Sequence, residues 1–273
     1  MAPRIDTRRY LIEPDSKVDL AKLPTEDHHH HGLDKESAKA VTAALTARLA
    51  GLQDVLWAQH RHRVLVVLQA TDTGGKDSTI RSVFSSSNPQ GVTVAGFKAP
   101  TEDELAHDYL WRVHQRVPGD GEIVVFNRSH YEDVLVVRVH DLVPEERWQR
   151  RYAHIRHFER LLVDEGTTIV KFFLHISKDE QRERLQSRVD DPTKHWKFNA
   201  GDLAEREHWD DYQRAYADAL AETSTTHAPW YVVPADKKWF RDVVVAQVMV
   251  DLLESLDLAY PPPAEGVEGM VIE

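Results

Sequence analysis

The sequence of 273 residues contains no cysteine, which excludes disulfide bonds, thiolate nucleophiles and zinc sites built on thiolates. It also has no apolar run that approaches the roughly 18 residues needed to span a bilayer. The first residues, MAPRIDTRRYLIEPDS, lack the apolar centre of a signal peptide. These absences favour a cytoplasmic protein that does not bind membranes.

Positive charge is scarce overall, with 34 Lys and Arg against 45 Asp and Glu and a net charge of −11. This balance argues against a general affinity for nucleic acid. The basic residues are nevertheless bunched, at 60–63, 147–160 and 182–197. If some of these segments converge in the fold, they form a local channel for a polyanion. The alternative, which suits most of them, is that they lie on solvent-exposed helix faces.

The chain divides into a mostly polar N-terminal arm (1–33), one large domain (34–260) and a flexible tail (261–273). The arm contains four consecutive histidines, His28–His31. The run could bind a metal, but no partner ligands accompany it, so compositional bias is the simpler account. From Asp34, a good N-cap residue, apolar residues recur at helical spacing in DKESAKAVTAALTARLAGLQDVLWAQHR.

Within the domain, short apolar runs alternate with helical segments. Five runs have strand character, at 64–68, 92–96, 122–126, 168–176 and 230–234. One of the helical segments, TEDELAHDYLWRVHQR, begins with the capping box Thr101–Glu104. The alternation predicts an α/β fold with a five-stranded parallel sheet covered by helices on both faces. Residues 190–222 are too charged and aromatic for a core and are predicted to form a lid.

The stretch QATDTGGKDST (69–79) follows the strand-like run RVLVVL. It resembles the phosphate-binding P-loop pattern G-x-x-x-x-G-K-S/T, with Ala70 in place of the first glycine and Asp77 in place of the Ser or Thr. A glycine-rich turn with an exposed lysine is the alternative. The predicted phosphate-binding residues are Thr73, Gly74, Gly75, Lys76, Asp77, Ser78 and Thr79. Asp72 would repel phosphates unless a cation intervened, so it implies bound Mg²⁺ or a proton acceptor.

A second polar cluster follows the run EIVVF in EIVVFNRSHYEDVLVVRVH (122–140). In P-loop enzymes this strand ends in an aspartate that supports Mg²⁺, a position that Asn127 takes here. Arg128 is suited to clamp a phosphate, and Glu132 and Asp133 begin the next helix. The alternative is that Asn127 caps that helix and Arg128 lies on the surface.

Four motifs in this order, QATDTGGKDST, GFKAPTEDEL, FNRSHYEDVLVVRV and DDPTKHWKFNAGDL with EHWDDYQRAY, resemble the family-2 polyphosphate kinases over about residues 34 to 260. The resemblance implies a P-loop kinase fold like that of thymidylate kinase, with a helical lid. It also implies reversible, Mg²⁺-dependent phosphoryl transfer between inorganic polyphosphate and a nucleotide, and a homodimer or homotetramer. By this resemblance, the catalytic residues are Asp72, Lys76, Asn127, Arg128 and Arg188.

Asn127 together with Glu132 resembles the subgroup that accepts both nucleoside mono- and diphosphates, which implies AMP, ADP and ATP, and possible guanine nucleotides, as substrates and products. In this scheme Asp72, Asn127 and Asp133 organise Mg²⁺. The residues expected to contact the acceptor or its phosphates are Arg128, Arg188, Arg138, Lys98 and Glu132.

Two other functions are alternatives to polyphosphate-dependent phosphoryl transfer. An ATP-dependent nucleoside monophosphate kinase of the same fold predicts the first loop glycine and the Ser or Thr after the lysine, and this sequence has neither. A non-catalytic nucleotide-binding regulator predicts tight nucleotide binding with no dependence of any rate on Lys76.

Overall fold

The computed structural model describes residues 4–199, 201–267 and 269–272. The first three residues of the predicted arm, Ala200 of the predicted lid, and Glu268 and Glu273 of the predicted tail lie outside the described residues. Within the described part of the chain, no helix combines the length and the apolar content that crossing a bilayer requires.

A six-stranded sheet forms the centre of the described structure. Its strands are β1 (Leu11–Ile12), β2 (Arg63–Gln69), β3 (Val92–Gly96), β4 (Ile123–Asn127), β5 (Thr167–His175) and β6 (Trp230–Pro234). Their spatial order is β1-β6-β5-β2-β4-β3. The five predicted strands are confirmed and run parallel, whereas β1 is antiparallel to β6. The predicted count of five was one short.

The sixth strand comes from the N-terminal arm. Leu11 pairs with Tyr231 and Ile12 with Trp230 at the edge of the sheet. Tyr10 and Ile12 are only 3% and 8% exposed, so this part of the arm buries side chains against the domain. A two-residue strand is too short to show an alternating pattern in the sequence, and only its tertiary contacts define it.

Helices connect and cover the strands. They are α1 (Lys35–Gln59), α2 (Lys76–Phe84), α3 (Glu102–Leu105), α4 (Trp111–His114), α5 (Val136–Val139), α6 (Glu145–Asp164), α7 (Lys178–Asp190), α8 (Gly201–Glu207), α9 (Trp209–Thr223) and α10 (Lys238–Glu254). The predicted caps at Asp34 and Thr101 are confirmed. The single helix expected over 101–116 is instead split into α3 and α4. The side chain of Asp108 accepts a hydrogen bond from Leu110 N and starts a new turn there.

The sheet is buried on both faces. One apolar cluster joins it to α1, α2 and α10, and a second joins it to α6 and α9. The side chains from Val64 to Leu68 in β2 are fully buried, which explains why these five consecutive residues are all apolar.

The strand register places two chain segments side by side at the carboxyl edge of the sheet. Leu68 near the end of β2 is opposite Asn127 at the end of β4. β3 and β4 lie on one side of β2, and β5 and β6 lie on the other side. The strand order therefore changes direction at β2. Ligands of open α/β sheets bind at such a switch point.

Candidate active site

The loop between β2 and α2 has the tight backbone that its glycines predict. Gly75 has a φ of +103°, and Thr73 is also left-handed at +62°. A Cβ on Gly74 would collide with the Ala70 side chain and lie 2.9 Å from Thr71 O. Only glycine fits at Gly74 without a shift of the loop, and Gly75 favours it by conformation.

Arg184 of α7 holds this loop from behind. Its guanidinium donates to Thr73 O at 3.0 Å, to Gly74 O at 3.1 Å and to Ala235 O at 2.6 Å. Carbonyl oxygens that would repel an anion are thereby paired with a cation. Arg184 was not among the individually predicted site residues. The signal available was its position one helical turn before Arg188, which places both arginines on one face of α7.

Lys76, the first residue of α2, crosses the loop. Its ammonium donates to Ala70 O at 2.9 Å. Burial lowers the pKa of Lys76, the neighbouring Arg128 lowers it further, and Asp72 opposes the shift. A cation held in this position is available to phosphate oxygens bound at the start of α2.

Polar contacts link the phosphate loop to the end of β4. Asn127 Nδ2 donates to Asp77 Oδ1 at 2.6 Å, and Arg128 donates to Asp72 Oδ1 at 3.1 Å. Arg128 has a left-handed φ of +63°, a conformation that costs free energy for a non-glycine residue and is often found at functional sites. The structure therefore brings four of the predicted catalytic residues together: Asp72, Lys76, Asn127 and Arg128. The N-cap of the next helical turn is Ser129, so the hypothesis that Asn127 caps it is wrong, whereas the Arg128 side chain is 43% exposed and bonded to Asp72.

A buried polar network fixes the chain directly after Arg128. Gln69 donates to Ser129 Oγ at 3.1 Å. Tyr131 donates to Glu159 at 2.8 Å, and Lys171 donates to the same carboxylate at 2.6 Å. Lys171 and Glu159 are fully buried, so their charges compensate each other inside the domain.

The loop between β2 and α2 opens into a cavity of about 410 Å³, which we name the loop crevice. Seven cationic side chains line it: Lys76, Arg128, Arg184, Arg188, Lys194, Lys197 and Lys238. Three carboxylates oppose them: Asp72, Asp77 and Asp202. Arg188 pairs with Asp202 at 3.0 Å and so joins α7 to the predicted lid. In a chain of net charge −11, this excess of cations is local.

A second cavity of about 450 Å³, the Lys98 pocket, lies on the other side of Arg128. Its walls combine apolar with cationic side chains, including Phe97, Pro100, Leu105, Val137, Lys98, Arg112, Arg147 and Arg151. Arg128 lines both cavities. Glu132 also lines the Lys98 pocket, and burial raises the pKa of its carboxyl, opposed by Arg128 and Lys76. An apolar wall with a few placed charges is typical of a site for an organic ligand.

The basic segments separate in the fold. Residues from 182–197 line the loop crevice, as predicted for a polyanion channel. From 147–160, Arg147 and Arg151 instead line the Lys98 pocket, while Arg150 and Arg160 form ion pairs within α6 on the surface.

Three predicted site residues are placed elsewhere. Arg138 donates to Asp218 at 2.6 Å and stacks 4.6 Å from the Trp148 ring, so it ties α5 to α9 and α6. Asp133 accepts from Arg151 at 2.9 Å, away from Asp72, and burial raises its pKa to about 6. Thr79 is fully buried and donates to Gly75 O at 3.1 Å, so it supports the loop from inside α2.

The oxygen atoms in the loop crevice suit a hard divalent cation. Asp72 and Asp77 have carboxylates and Asn127 an amide oxygen, and all three residues line the crevice. Mg²⁺ binds through one or two carboxylates, water and substrate phosphates, which is a donor set of this kind. Asp133 does not belong to it, because its carboxylate is paired with Arg151 in the Lys98 pocket.

Comparisons with known proteins agree with this geometry. A family model described as Polyphosphate kinase 2 matches residues 32–260. An AMP/ADP-polyphosphate phosphotransferase of Meiothermus ruber is 57% identical over 266 residues, which cover 97% of this chain and 100% of that protein. An ADP-polyphosphate phosphotransferase of Rhodopseudomonas palustris is 46% identical, with 94% and 93% covered. The crystal structure of polyphosphate kinase 2 from Arthrobacter aurescens superposes with a TM-score of 0.90 at 46% identity, over 97% of this chain and 92% of that one.

Proposed function

Because the chain belongs to the polyphosphate kinase 2 family, we propose that it transfers phosphoryl groups reversibly from inorganic polyphosphate to AMP and ADP. The products are ADP and ATP. Relatives that are 57% and 46% identical over nearly their whole length carry the names AMP/ADP- and ADP-polyphosphate phosphotransferase.

The observation that carries this proposal is the charge of the loop crevice. Seven cations against three carboxylates surround a P-loop in an otherwise acidic chain. A polyphosphate chain has no base or ribose to recognise, so a basic channel is the binding surface that its chemistry requires. An ordinary nucleoside monophosphate kinase needs only a short cluster of cations for a triphosphate.

The acceptor nucleotide is proposed to occupy the Lys98 pocket. Its apolar wall, with Phe97 and Pro100, suits a purine, and Lys98 and Arg112 supply charge near it. Arg128 lines both cavities and so lies where the acceptor phosphate meets the donor. Guanine nucleotides have the same size and shape of ring, and we extend the proposal to them.

Catalysis in this arrangement is positioning and charge neutralisation. Lys76 and the loop amides hold the transferring phosphates. Arg128 and Arg188 neutralise charge on the transferring group from the two sides of the loop crevice. Asp72, beside Lys76 and Arg128, holds the metal ion or orients the attacking phosphate oxygen.

The metal is proposed to be Mg²⁺, held by Asp72 and Asn127, with Asp77 as a further oxygen donor beside them. When bound, it supplies Lewis-acid neutralisation of phosphate charge. The amide of Asn127 is a neutral ligand, so the carboxylates of the loop supply the negative charge that an aspartate at the end of β4 supplies in other P-loop enzymes.

Three further expectations belong to this proposal. They are the division into arm, domain and tail with a lid over about 190–222, a cytoplasmic location, and a homodimer or homotetramer. Light scattering of the purified protein measures the subunit number directly.

The proposal is tested by a coupled assay with Mg²⁺ and polyphosphate, with AMP and ADP supplied separately as acceptors and GMP and GDP in parallel. ATP is expected from ADP, and ADP followed by ATP from AMP. Product from AMP that stops at ADP, or no product from AMP, would contradict the dual-acceptor assignment of Asn127 and Glu132. Tight nucleotide binding without any product would favour the regulator.

Exposed lysines of the loop crevice are expected to set the affinity for long polyphosphate. Lys194→Ala and Lys197→Ala should each raise the KM for polyphosphate about 2- to 5-fold at low salt, because one exposed charge contact contributes up to about 1 kcal/mol. The effect should shrink at high ionic strength. Lys39→Ala is the matched control, since Lys39 and Lys194 are both exposed and each pairs with an acidic residue three positions earlier. An equal KM change in the control would contradict the channel.

A further inference from the structure

Outside the active site, the histidine run contributes to a cluster of metal-type ligands. Glu26, His28 and His29 each offer one ligand atom, and these atoms lie within 4.8 Å of one another. The cluster lies in the N-terminal arm, beside the start of α10, and takes no part in the proposed phosphoryl transfer.

His28 is the fixed member of the cluster. It is 8% exposed, and its Nδ1 is buried without a hydrogen-bond partner among the described residues. Glu26 Oε1 lies 3.2 Å from this nitrogen, but the two atoms are not oriented as a hydrogen bond. Two ligands that are each about 2.1 Å from a tetrahedral ion lie roughly 3.4 Å apart. The spacing is therefore that of two donors around one ion.

Neighbouring residues orient the two ligands. The His28 ring packs edge-on against Trp239 with 4.8 Å between centroids. The other oxygen of Glu26, Oε2, lies 3.6 Å from Lys237 Nζ, which leaves Oε1 facing His28.

The other two histidines of the run have different surroundings. His31 Nε2 lies 2.8 Å from the Tyr10 hydroxyl, and its ring stacks on Phe240. His30 is exposed, as is His29. The exposed side chain of His29 can rotate to bind the ion. His30, the next residue, is also exposed and serves as a control.

We propose that Glu26, His28 and His29 bind one divalent transition-metal ion such as Zn²⁺, which would hold residues 26–29 of the arm in one conformation beside the start of α10. Two imidazoles and one carboxylate select zinc or a similar ion over Mg²⁺. Solvent completes the coordination. Thr25 O, next to Glu26, accepts a hydrogen bond from Asp236 N at 3.0 Å, so the segment that the ion would order adjoins an existing contact between the arm and the domain.

The test is a calorimetric titration of the chelator-treated full-length protein with Zn²⁺, without polyphosphate and with excess Mg²⁺ present. One Zn²⁺ per chain is expected, with an upward shift in Tm, and Co²⁺ should give the visible absorption of a site with nitrogen and oxygen ligands. His29→Ala and Glu26→Gln should each weaken Zn²⁺ binding about tenfold or more, since both residues are exposed and their loss leaves the fold intact. His30→Ala should change the affinity less than twofold.

Three outcomes would overturn the site. The first is no stoichiometric binding of Zn²⁺ in the presence of Mg²⁺. The second is equal weakening by His30→Ala and His29→Ala, and the third is no weakening by Glu26→Gln. Either of the last two would show that the histidine run chelates the ion without the three-residue geometry.

Discussion

Replacement of Lys76 by alanine is expected to lower kcat for phosphoryl transfer about 10²- to 10³-fold, the cost of removing one preorganised charge contact to the transferring group. The ammonium is placed across the loop by its bond to Ala70 O, next to Arg128 and Asp72. Alanine removes this charge and leaves the glycine-rich backbone, which Arg184 holds independently. Steady-state rates with ADP and polyphosphate measure the effect.

The control for this variant is Lys39→Ala on α1, which removes an exposed lysine that pairs with Glu36. Its rate should match that of the unmodified protein, and circular dichroism and Tm should be close for both variants. A Lys76→Ala protein that is folded and turns over at an unchanged rate would remove Lys76 from catalysis and would favour the non-catalytic regulator.

The second large effect is expected for Asp72→Asn, a change that keeps the shape of the side chain and removes its charge. We expect kcat to fall about 10²-fold or more, because a metal ion contributes several kcal/mol of charge stabilisation to phosphoryl transfer. The Mg²⁺ concentration that gives half-maximal rate should also rise. The measurement is a Mg²⁺ titration of the rate at saturating polyphosphate.

This titration separates two roles of Asp72, since its carboxylate also accepts from Arg128 at 3.1 Å. If Asp72 only positioned Arg128, the rate would fall without a change in the Mg²⁺ requirement, and the metal assignment would be wrong. Asp54→Asn on α1, an exposed aspartate that does not line the loop crevice, is the charge-matched control.

The parts of the site that depend on local sequence were predictable. The apolar run at 64–68, followed by Gly74, Gly75 and Lys76, predicts a strand, a loop and the start of a helix. A glycine-rich loop at the start of a helix directs several backbone N–H groups to one point, which predicts a phosphate site. The polar residues after β4 were predicted to lie beside this loop, because parallel strands have their carboxyl ends at the same edge of the sheet. Asn127 and Arg128 confirm this.

The parts that depend on packing were not predictable from the pattern. Glu132 and Asp133 are adjacent in a 3-10 turn (His130–Val134), where successive side chains point in different directions, so only the fold decides that Asp133 meets Arg151. Arg138 lies on the short helix α5, and its contact with Asp218 is set by the way α9 packs.

The sequence only weakly indicates which residues outside the loop between β2 and α2 hold that loop in place. Arg241 donates to Asp242 and to Gly75 O at 3.4 Å, and it is 1% exposed although it precedes the apolar run VVVA of α10 by only two positions. The adjacent charges of Arg241 and Asp242 beside an apolar run indicate that Arg241 has a buried partner. The sequence does not show that this partner is Gly75, 166 positions away.

The donor is the central claim, and its most direct test follows ADP and polyphosphate together in one reaction, by ³¹P NMR, with no other phosphoryl donor present. We predict that ATP appears in step with the loss of polyphosphate phosphates, that no AMP forms initially, and that a chelator of divalent metals stops the reaction. ATP that appears together with an equal amount of AMP, and without any need for polyphosphate, would contradict the account. It would show that ADP is itself the donor, as in an ordinary nucleotide kinase of this fold.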